Sequence, residues 1–392
     1  MTKPGLLFYC QHSVGMGHLV RSLALADALA DRFDVVLLSG GAVPTDVAVP
    51  PAVRVVPLPA LGHDDGYELV SRDSHWSLAE AQQARTARIL GELRDVRPHV
   101  VIVELYPFGR RKFAFELLPL LEASRALAPR PVLLSSVRDI LVTSRRDQAR
   151  HDEQASVVAN RWFDGVLVHA DPRFARLEES FAPRTPLTVP VHYTGFVSRR
   201  PAGGPVDARP SGRWVCVSAG GGLVGGPLLR AAVDAVPLVL DGLGLSTTII
   251  TGPFLPAVER IELEQAVAAH PGCTVVGFVA DLAAEMAASA VSVSQCGYNT
   301  AMDVLSAGRP AVVVPYAAGR EDEQLTRARR LEALGAVTVL EAGSLSASTL
   351  TDAIRRARLT GSDHRIELRL DGARRTVELV ESMLAVGSDI AR

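Results

Sequence analysis

A glycine-containing segment near the N-terminus carries a histidine suited to proton transfer. The segment HSVGMGHLVRS, residues 12–22, follows the apolar run at 6–10, and Gly15 and Gly17 stand where a helix is expected to begin. Glycines at such a point let backbone N–H groups approach an anion or a sugar closely, and the helix N-terminus favours negative charge. A neutral imidazole can accept a proton from a substrate hydroxyl near pH 7. We therefore predict that His18 is a general base beside Gly17; a purely structural capping role is the alternative.

This segment argues against a dinucleotide-binding enzyme. Its GxGH pattern is shorter than the glycine fingerprint of dehydrogenases, and no acidic residue after the second predicted strand is placed to bind a ribose. Asp46, the nearest candidate, lies beyond Gly40, Gly41 and Pro44. The sequence therefore does not favour a dehydrogenase.

Two further carboxylates follow predicted strands of the N-terminal half. Glu104 ends the run VVIVE, and Asp139 comes shortly after VLLSS, next to Arg138. Ligands of open α/β sheets bind beyond the carboxyl ends of the strands. We predict that these three side chains line a substrate pocket, with Glu104 or Asp139 as the alternative to His18 for the base.

A second glycine-rich segment begins the C-terminal half. SAGGG, from Ser218 to Gly222, follows the run WVCVS and precedes a helical stretch. The exposed N–H groups of Gly220, Gly221 and Gly222 can cradle phosphate oxygens. An ordinary tight turn would use the same glycines, so this motif alone does not decide between the two interpretations.

The strongest motif is VSVSQCGYNTAMDVLSAGRPAVVVPY, at 291–316. A buried strand leads to Gly297, a helix is predicted from Tyr298 to Gly308, and the next strand follows a proline. The backbone donors of Gly297, Tyr298 and Asn299 then lie at a helix N-terminus, where a diphosphate is stabilised without a metal. The segment predicts a nucleotide site.

Side chains around this helix complete the predicted site. Asp303 lies about one turn into the helix, where a carboxylate can accept both ribose hydroxyls, each charged hydrogen bond contributing about 1.5–3 kcal/mol. Gln295 and Thr300 belong to the same segment and are included in the predicted nucleotide site, together with Gly17 and Ser218 from the two glycine-containing segments. Glu323 and Gln324 begin an amphipathic helix within 319–336, from which they can bond sugar hydroxyls.

The elements that position these residues form two α/β series. β-branched runs alternate with stretches of period near 3.6, which predicts doubly wound parallel sheets. A Pro-, Gly- and Arg-rich segment separates the series. We predict two Rossmann-like lobes facing a cleft, divided as an N-terminal lobe at 1–197, a linker at 198–212, a C-terminal lobe at 213–363 and a helix at 364–392 that packs back across the lobes. The predicted strands are 6–10, 34–38, 100–104, 132–136, 165–169, 214–218, 247–251, 273–277, 291–294 and 311–315.

Composition narrows the classes of partner. A net charge of -2 with interspersed charges argues against a nucleic-acid partner, so we expect none. The four cysteines form no CxxC pair, so neither a disulfide framework nor a zinc site is indicated. No apolar run of about 18 residues and no signal peptide is present, so we expect a cytoplasmic protein. The basic and apolar segment 108–121 permits at most peripheral membrane contact, and a core-facing helix explains it better.

In this order, the motifs resemble those of the MurG-like glycosyltransferases, most specifically between 277 and 335. The resemblance covers nearly the whole chain and implies the two-lobed GT-B fold, a UDP-sugar held by the C-terminal lobe, and transfer with inversion. It implies that Phe278 and Val279 contact the base with Leu282 nearby, although a lone aromatic after a strand is more often core.

The same resemblance gives roles to other residues. It implies that Asp303 binds the ribose and Gln324 the donor sugar, and His18 matches the histidine of the family's glycine loop. Glu323 stands where a second glutamine is common, which leaves the donor sugar open, and SAGGG departs from the more typical GGSQG. No D-x-D sequence occurs, so we expect neither a metal nor another cofactor.

The predicted function is a metal-independent glycosyltransferase of the hexosyltransferase type. It would move a sugar from a UDP- or TDP-sugar to a hydroxyl or amine of a small-molecule or lipid-linked acceptor. Because GxGHxxR also resembles sugar-nucleotide hydrolases of the pseudaminic-acid pathway, a hydrolase or epimerase on this fold is the first alternative. A noncatalytic nucleotide-sugar binding protein is the second.

Overall fold

The computed structural model of the chain divides into two compact units. Unit 1 comprises Met1–Val197 and Leu368–Arg392, and unit 2 comprises Ser198–Glu367. The structure describes residues 3–12, 17–44, 47–64, 68–198, 212–316, 323–361 and 368–390. Most of the predicted linker, 199–211, lies outside the described residues, as do Gly15 and Asp46.

Unit 1 is built on a parallel sheet whose strands are the predicted apolar runs. Its seven described strands have the order β3-β2-β1-β6-β7-β8-β9, beside a small β4–β5 hairpin. The inner strands are buried on both faces, because helices cover both sides of a parallel sheet, whereas the two edge strands are partly exposed. The elements are β1 Gly5–Cys10, α1 Gly17–Leu29, β2 Asp34–Ser39, β3 Val53–Pro57, β4 Leu61–His63, β5 Leu69–Ser71, α2 Leu78–Val96, β6 Val100–Glu104, α3 Ala114–Arg125, β7 Val132–Arg138, α4 Gln148–Trp162, β8 Gly165–His169 and β9 Val191–Tyr193.

The strand order of unit 1 creates a switch point between β1 and β6. The chain moves from β1 outward to β2 and β3 on one side, then returns to β6 on the other, with Tyr9 paired to Val103. A crevice for ligands forms beyond the carboxyl ends of two such strands. The loops that follow Cys10 and Glu104 therefore share this position.

Unit 2 is a smaller sheet of the same type. Its six described strands are parallel, in the order β12-β11-β10-β13-β14-β15, so the switch point lies between β10 and β13. The elements are β10 Trp214–Ser218, α5 Gly226–Leu243, β11 Ser246–Ile250, α6 Ala257–Ala268, β12 Cys273–Val276, α7 Leu282–Ala288, β13 Val291–Ser294, α8 Tyr298–Ala307, β14 Ala311–Val313, α9 Glu323–Ala333, β15 Thr338–Val339 and α10 Ala347–Thr360.

The C-terminal segment, expected to pack back across the lobes, forms helix α11 at Gly372–Ile390 and packs on unit 1. Its Val377 and Val380 join the core that contains residues of α1. The residues just before α11 contact the end of the segment Met1–Val197. Val197 pairs with Asp371, and the Phe196 N–H donates to the Arg369 carbonyl at 2.7 Å.

These two parallel-sheet units confirm the predicted α/β fold class. All ten predicted strands are present, with end positions shifted by no more than two residues, as at β7 and β14. Helix α3 buries Leu117, Leu120 and Leu121, so the predicted core-facing helix in this region is present. No helix in the described part of the chain is both long and apolar enough to span a bilayer.

Candidate active site

The carboxyl edge of unit 1 brings His18 onto Glu104. His18 is the second residue of α1 and Glu104 is the last residue of β6, so both face the switch point. Their Nδ1 and Oε1 atoms are 2.6 Å apart. The Glu104 side chain is fully buried, whereas the His18 side chain keeps 18% of its surface exposed. A buried carboxylate thus holds an imidazole that a substrate can still reach.

Arg21 anchors the carboxylate from the same helix. It lies one turn after His18, on the same face, and its Nη2 donates to Glu104 Oε1 at 2.5 Å. Because the Arg21 side chain is buried, it is expected to contribute to the fold as well as to the site. No spacing along the sequence indicates that the partner of Arg21 is Glu104.

The electrostatics of this pair fix the protonation states. Burial, together with the charge of Arg110, lowers the pKa of His18 to about 4. Burial alone would raise the pKa of Glu104, but attraction to His18 and Arg21 outweighs it and lowers that pKa to about 2. At neutral pH the carboxylate is therefore ionised and the ring is neutral.

These states determine the tautomer of His18. The carboxylate can only accept a hydrogen bond, so Nδ1 carries the ring proton and donates a hydrogen bond to Glu104. Nε2 then has a lone pair, and it makes no hydrogen bond to any residue that the structure describes. A carboxylate that orients an imidazole and leaves its second nitrogen as a base is the arrangement used in many hydrolase and transferase sites.

Asp139 occupies a different environment from Glu104. It follows β7 directly and only 1% of its surface is exposed, while the adjacent Arg138 is partly exposed. A carboxylate enclosed to this degree offers little surface to a substrate. The geometry therefore favours His18 over Asp139 as the group that exchanges a proton.

In unit 2, the glycines of SAGGG form a tight loop at the end of β10. Gly220 and Gly222 have φ values of 60° and 93°, which side-chain-bearing residues rarely adopt. A Cβ on Gly222 would lie 2.6 Å from the Thr251 carbonyl oxygen, and one on Gly221 would make only ordinary contact. The Ser218 hydroxyl accepts from the Gly220 N–H at 3.2 Å. Backbone geometry therefore explains Gly220 and Gly222 without a ligand.

The N-terminus of α8 lies beside this loop. A Cβ on Gly220 would lie 3.3 Å from the Thr300 hydroxyl oxygen, so the loop and the first turn of α8 are neighbours. Gly297 is the N-cap, no side chain of the described residues caps the helix, and a Cβ at Gly297 would meet no described atom within 4 Å. Gly308, with φ of 59°, ends the helix as predicted.

Gln324 supports the turn that precedes α8. Its Oε1 accepts from the backbone N–H groups of Cys296 and Tyr316, both at 3.1 Å. Both partners are donors, which identifies the accepting atom as Oε1. The amide NH₂ of Gln324 makes no hydrogen bond to a described residue. Gln324 can therefore hold the backbone and still donate to a ligand.

Two other side chains brace the same turn. Arg327, one turn after Gln324, donates to the Cys296 carbonyl at 2.9 Å and lies 5.9 Å from the centre of the Tyr298 ring. Gln295 donates to the Val224 carbonyl at 3.0 Å, which ties the turn to the glycine loop. The sequence analysis did not identify Arg327. The one feature that could have indicated it is its position three residues after Gln324, on the same face of an amphipathic helix.

The remaining predicted residues lie along this edge of unit 2. Phe278 follows β12 and is 42% exposed, so it is not the core aromatic that its position alone would suggest. The Gly277 carbonyl accepts from Gly252, and a Cβ on Gly252 would meet the Gly220 oxygen at 2.3 Å, so these loops adjoin. The partly exposed members of the predicted set are Val279, Leu282, Asn299, Asp303 and Glu323.

The structure therefore separates the predicted residues into two groups. His18 and Glu104 meet in unit 1, and the predicted donor-binding residues other than Gly17 belong to unit 2. Gly17 lies at the start of α1, in unit 1. Among the described residues, no group of three or more His, Cys, Asp or Glu side chains is placed to hold a metal ion.

Comparisons with known proteins find similar sequences and a similar fold. Residues 229–367, which contain the α8 site, match the model of the glycosyltransferase family 28 C-terminal domain. A UDP-N-acetylglucosamine–N-acetylmuramyl-(pentapeptide) pyrophosphoryl-undecaprenol N-acetylglucosamine transferase of Salmonella arizonae is 27% identical over 237 residues, 58% of this chain and 65% of the relative. The protein of the same name from Rhodopseudomonas palustris is 28% identical over 283 residues, 70% of each chain.

A solved structure shows the same fold. The crystal structure of Acinetobacter baumannii MurG aligns with 97% of this chain and 100% of its own, with a TM-score of 0.57 and 17% identity. The sequence match covers just under two thirds of the Salmonella relative, 65% of its length. Together these similarities confirm the resemblance predicted from the motifs.

Proposed function

We propose that this chain, which is similar to MurG-like GT-B glycosyltransferases, transfers a sugar from a nucleoside diphosphate sugar to an acceptor. The observation that carries this proposal is the 2.6 Å contact between the neutral His18 ring and the ionised Glu104 carboxylate. Such a pair is suited to removing a proton from a nucleophile. The family-28 match over unit 2 supports a sugar nucleotide as the donor.

In this proposal, unit 2 holds the donor by its backbone. The diphosphate lies at the N-terminus of α8, over Gly297, where backbone N–H groups and the helix dipole stabilise the departing charge without a metal. Asp303 accepts the ribose hydroxyls, Phe278 contacts the base, and the Gln324 NH₂ donates to the sugar. The name of the Salmonella relative specifies a UDP-sugar, so we propose UDP first and TDP second.

Unit 1 would supply the acid–base chemistry. The acceptor oxygen or nitrogen attacks the anomeric carbon as His18 Nε2 takes its proton, and the bond to the diphosphate breaks with its electron pair leaving on the diphosphate. Attack from the side opposite the leaving group inverts the anomeric centre. The imidazolium that forms is stabilised by the Glu104 carboxylate, so Glu104 is proposed to position and stabilise the ring and not to take the proton itself.

The acceptor is proposed to be a small molecule or a lipid-linked compound. The Salmonella relative is named for an undecaprenol-linked acceptor. No helix of the described residues meets the length and apolarity needed to span a bilayer, which is compatible with peripheral contact. We propose that the protein works in the cytoplasm, where nucleotide sugars are made.

Calorimetric titration with UDP, TDP, GDP and their common sugars, without added metal, tests donor binding. We expect micromolar binding of one nucleotide, and a loss of at least about 10- to 100-fold for Asp303→Ala, the equivalent of one of its two charged hydrogen bonds to the ribose. Circular dichroism of the variant is the control for its fold. Absence of binding to all three nucleotides would overturn the proposal.

Turnover of His18→Gln tests the base. We expect turnover to fall by roughly 10²–10⁴ while donor affinity stays unchanged, because the ring acts on the acceptor. Full activity in this variant would exclude His18 as the base. Release of free sugar at full rate without any acceptor would instead support the hydrolase alternative, since the same pair can activate water.

A further inference from the structure

Unit 2 has a cavity of about 280 Å³ between helices α5 and α6. Its walls are aliphatic side chains that are themselves buried: Leu229 and Val233 from α5, Leu263 from α6, and Leu255 from the segment before α6. None of the residues that line it belongs to the predicted donor-binding set. The cavity is therefore a feature of unit 2 separate from the proposed donor site.

The cavity exists because the facing positions of the two helices leave the space between them unfilled. Gly226 of α5 and Ala266 of α6 line it with little or no side chain. In α6 the buried residues are Leu263 and Val267, so most of this helix lies outside the core. Protein interiors are otherwise close-packed, and atoms that border a gap lose dispersion contacts. A side chain inserted from outside would restore those contacts.

The face of α5 that borders the cavity continues beyond it. Val233, Pro237 and Leu240 are spaced four and three residues apart, which puts them on one face of the helix. Pro237 is exposed, and Leu240 is 37% exposed. Apolar residues at this spacing are typical of helix–helix interfaces. We call the cavity together with Pro237 and Leu240 the α5–α6 groove.

The rim of this groove is acidic. Asp234, Glu259 and Glu262 line the cavity, together with the basic Arg230. Arg230 Nη1 lies 3.3 Å from Glu259 Oε2, so these two charges neutralise each other. Asp234 and Glu262 are exposed and have neither an ion pair nor a hydrogen bond to a residue that the structure describes. Their carboxylates can therefore pair with basic groups of a ligand.

Size and charge distinguish between the occupants of such a groove. Pockets for small molecules usually measure about 300–1,000 Å³, and this cavity is just below that range. Because a cavity of about 150 Å³ holds one benzene ring, this one has room for about one or two side chains. A second copy of the chain would bring two acidic rims together, and an anionic membrane surface would be repelled as well. A basic helix suits both the rim and the spaced apolar face of α5.

We propose that the α5–α6 groove binds an amphipathic helix of a partner protein. The helix inserts an aliphatic or aromatic side chain into the cavity, and its lysine or arginine side chains pair with Asp234 and Glu262. Its apolar residues are spaced three and four positions apart, as in other complexes in which a helix lies in a groove. The proposal does not depend on the proposed transfer reaction, because the residues that line the cavity belong neither to the His18 site nor to the predicted donor site.

Three synthetic helical peptides of about 18 residues test the proposal. The lysine peptide has leucine at positions i, i+3, i+4 and i+7 and lysine elsewhere, the glutamate peptide has glutamate in place of lysine, and the scrambled peptide spreads the leucines of the lysine peptide around the helix. Fluorescence anisotropy with the full chain measures binding at about 0.15 M salt, where attraction between distant charges is screened. We expect the lysine peptide to bind at least about tenfold more tightly than the other two. Equal affinity for the lysine and scrambled peptides, or no binding of either, would overturn the proposal.

Charge variants locate the binding surface. Asp234→Asn combined with Glu262→Gln should weaken binding of the lysine peptide roughly 2- to 30-fold, the scale of two exposed ion pairs. Glu264→Gln combined with Asp352→Asn is the control, because it removes two exposed carboxylates that do not line the cavity. The control should leave the affinity unchanged. An equal loss in the two double variants would show that the peptide responds only to the overall charge, which contradicts docking in the groove.

A second pair of variants tests the cavity itself. Ala266→Leu adds a side chain that occupies the cavity, so it should weaken binding of the lysine peptide roughly tenfold, the contribution of one buried aliphatic side chain. Gln265→Leu adds the same side chain at the neighbouring exposed position, which does not line the cavity, and should not weaken binding. Thermal unfolding shows that each variant is folded. Unchanged affinity in a folded Ala266→Leu variant would exclude the cavity as the anchor site and overturn the proposal.

Discussion

The two sheet edges of this protein prepare for ligands by different physical means. In unit 1 the edge is made of buried ionisable side chains, with His18, Glu104 and Arg21 in direct contact. In unit 2 it is made of glycine backbone, a helix start capped only by Gly297 and a neutral amide. The edge of unit 1 should therefore be sensitive to changes in protonation and charge. The edge of unit 2 should be sensitive to any added Cβ.

The largest effect expected from this difference is the loss of the Glu104 charge. Glu104→Gln leaves Arg21 buried without its counter-ion, and breaking such a pair from one side costs about 3–5 kcal/mol. Urea unfolding of the full chain measures the change. Glu92→Gln is the control, because the Arg54 and Arg88 partners of Glu92 are exposed, and its cost should stay below about 1 kcal/mol. Equal costs for the two variants would contradict the buried-charge description of unit 1.

A matched pair of glycine substitutions tests the backbone edge. Gly222→Ala places a Cβ 2.6 Å from the Thr251 carbonyl oxygen in a backbone with φ of 93°, so we expect roughly 2–4 kcal/mol of destabilisation. A Cβ at Gly297 would meet no neighbour among the described residues, and its φ is -62°, so Gly297→Ala should cost no more than about 1 kcal/mol, the scale of a capping change.

The two alanine variants should also separate folding from binding. Thermal unfolding reports the stability of each, and nucleotide titration reports its affinity. If the diphosphate lies over Gly297, Gly297→Ala loses donor affinity while its stability falls by no more than about 1 kcal/mol. Unchanged affinity in that variant would move the diphosphate away from the start of α8.

The strands and the start and end of α8 could be predicted from the sequence, because each depends on a local pattern of residues. Each of the ten predicted strands is an apolar run long enough to be buried on both faces, and Gly297 and Gly308 delimit α8 by local backbone rules. The elements that were missed, β3, β9, β15 and the β4–β5 hairpin, are at sheet edges or outside the two sheets and have weaker apolar patterns.

The network of unit 1 could not be predicted to the same depth. His18 and Glu104 are 86 positions apart, and only the pairing of β6 with β1 brings them into contact. His12 Nε2 lies 2.8 Å from the Ser39 hydroxyl oxygen, a contact that follows from the pairing of β1 with β2. Sequence patterns identify the residue types, but contacts of this range follow from the sheet order.

The pH dependence of stability should come from unit 1. Burial and the charge of Arg21 lower the pKa of His169 to about 3, well below its ordinary value of 6.5. Below pH 6.5 the unfolded chain binds a proton that the folded one does not, so stability is lost as pH falls from 6.5 towards 3, by up to about 1.4 kcal/mol per pH unit for one histidine. His12 and His18, both with pKa near 4, act in the same direction.

Urea unfolding at pH 7, 6, 5 and 4 measures this slope. His169→Gln should reduce the slope of unfolding free energy against pH by up to the contribution of one histidine. This holds whatever the variant does to stability at pH 7, because the slope depends only on the difference in bound protons between the unfolded and folded states. An unchanged slope would mean that His169 is protonated in the folded protein. Nucleotide binding by unit 2, if it relies on backbone donors and an amide, should vary little over pH 6–8.

The smallest expected effect is at Phe278, and it sharpens the description of unit 2. Because the ring is 42% exposed, Phe278→Ala should alter stability little, yet lose about 0.5–1.5 kcal/mol of nucleotide affinity if the ring contacts the base. Ile261→Ala, at a 52% exposed side chain on α6, is the control and should alter neither. Titration with inorganic pyrophosphate gives the decisive comparison, since it has no base. The affinity for pyrophosphate should be equal in Phe278→Ala and in the wild type. A parallel loss of affinity for pyrophosphate and for nucleotide would show that the substitution disturbs the diphosphate site and that Phe278 does not act through the base.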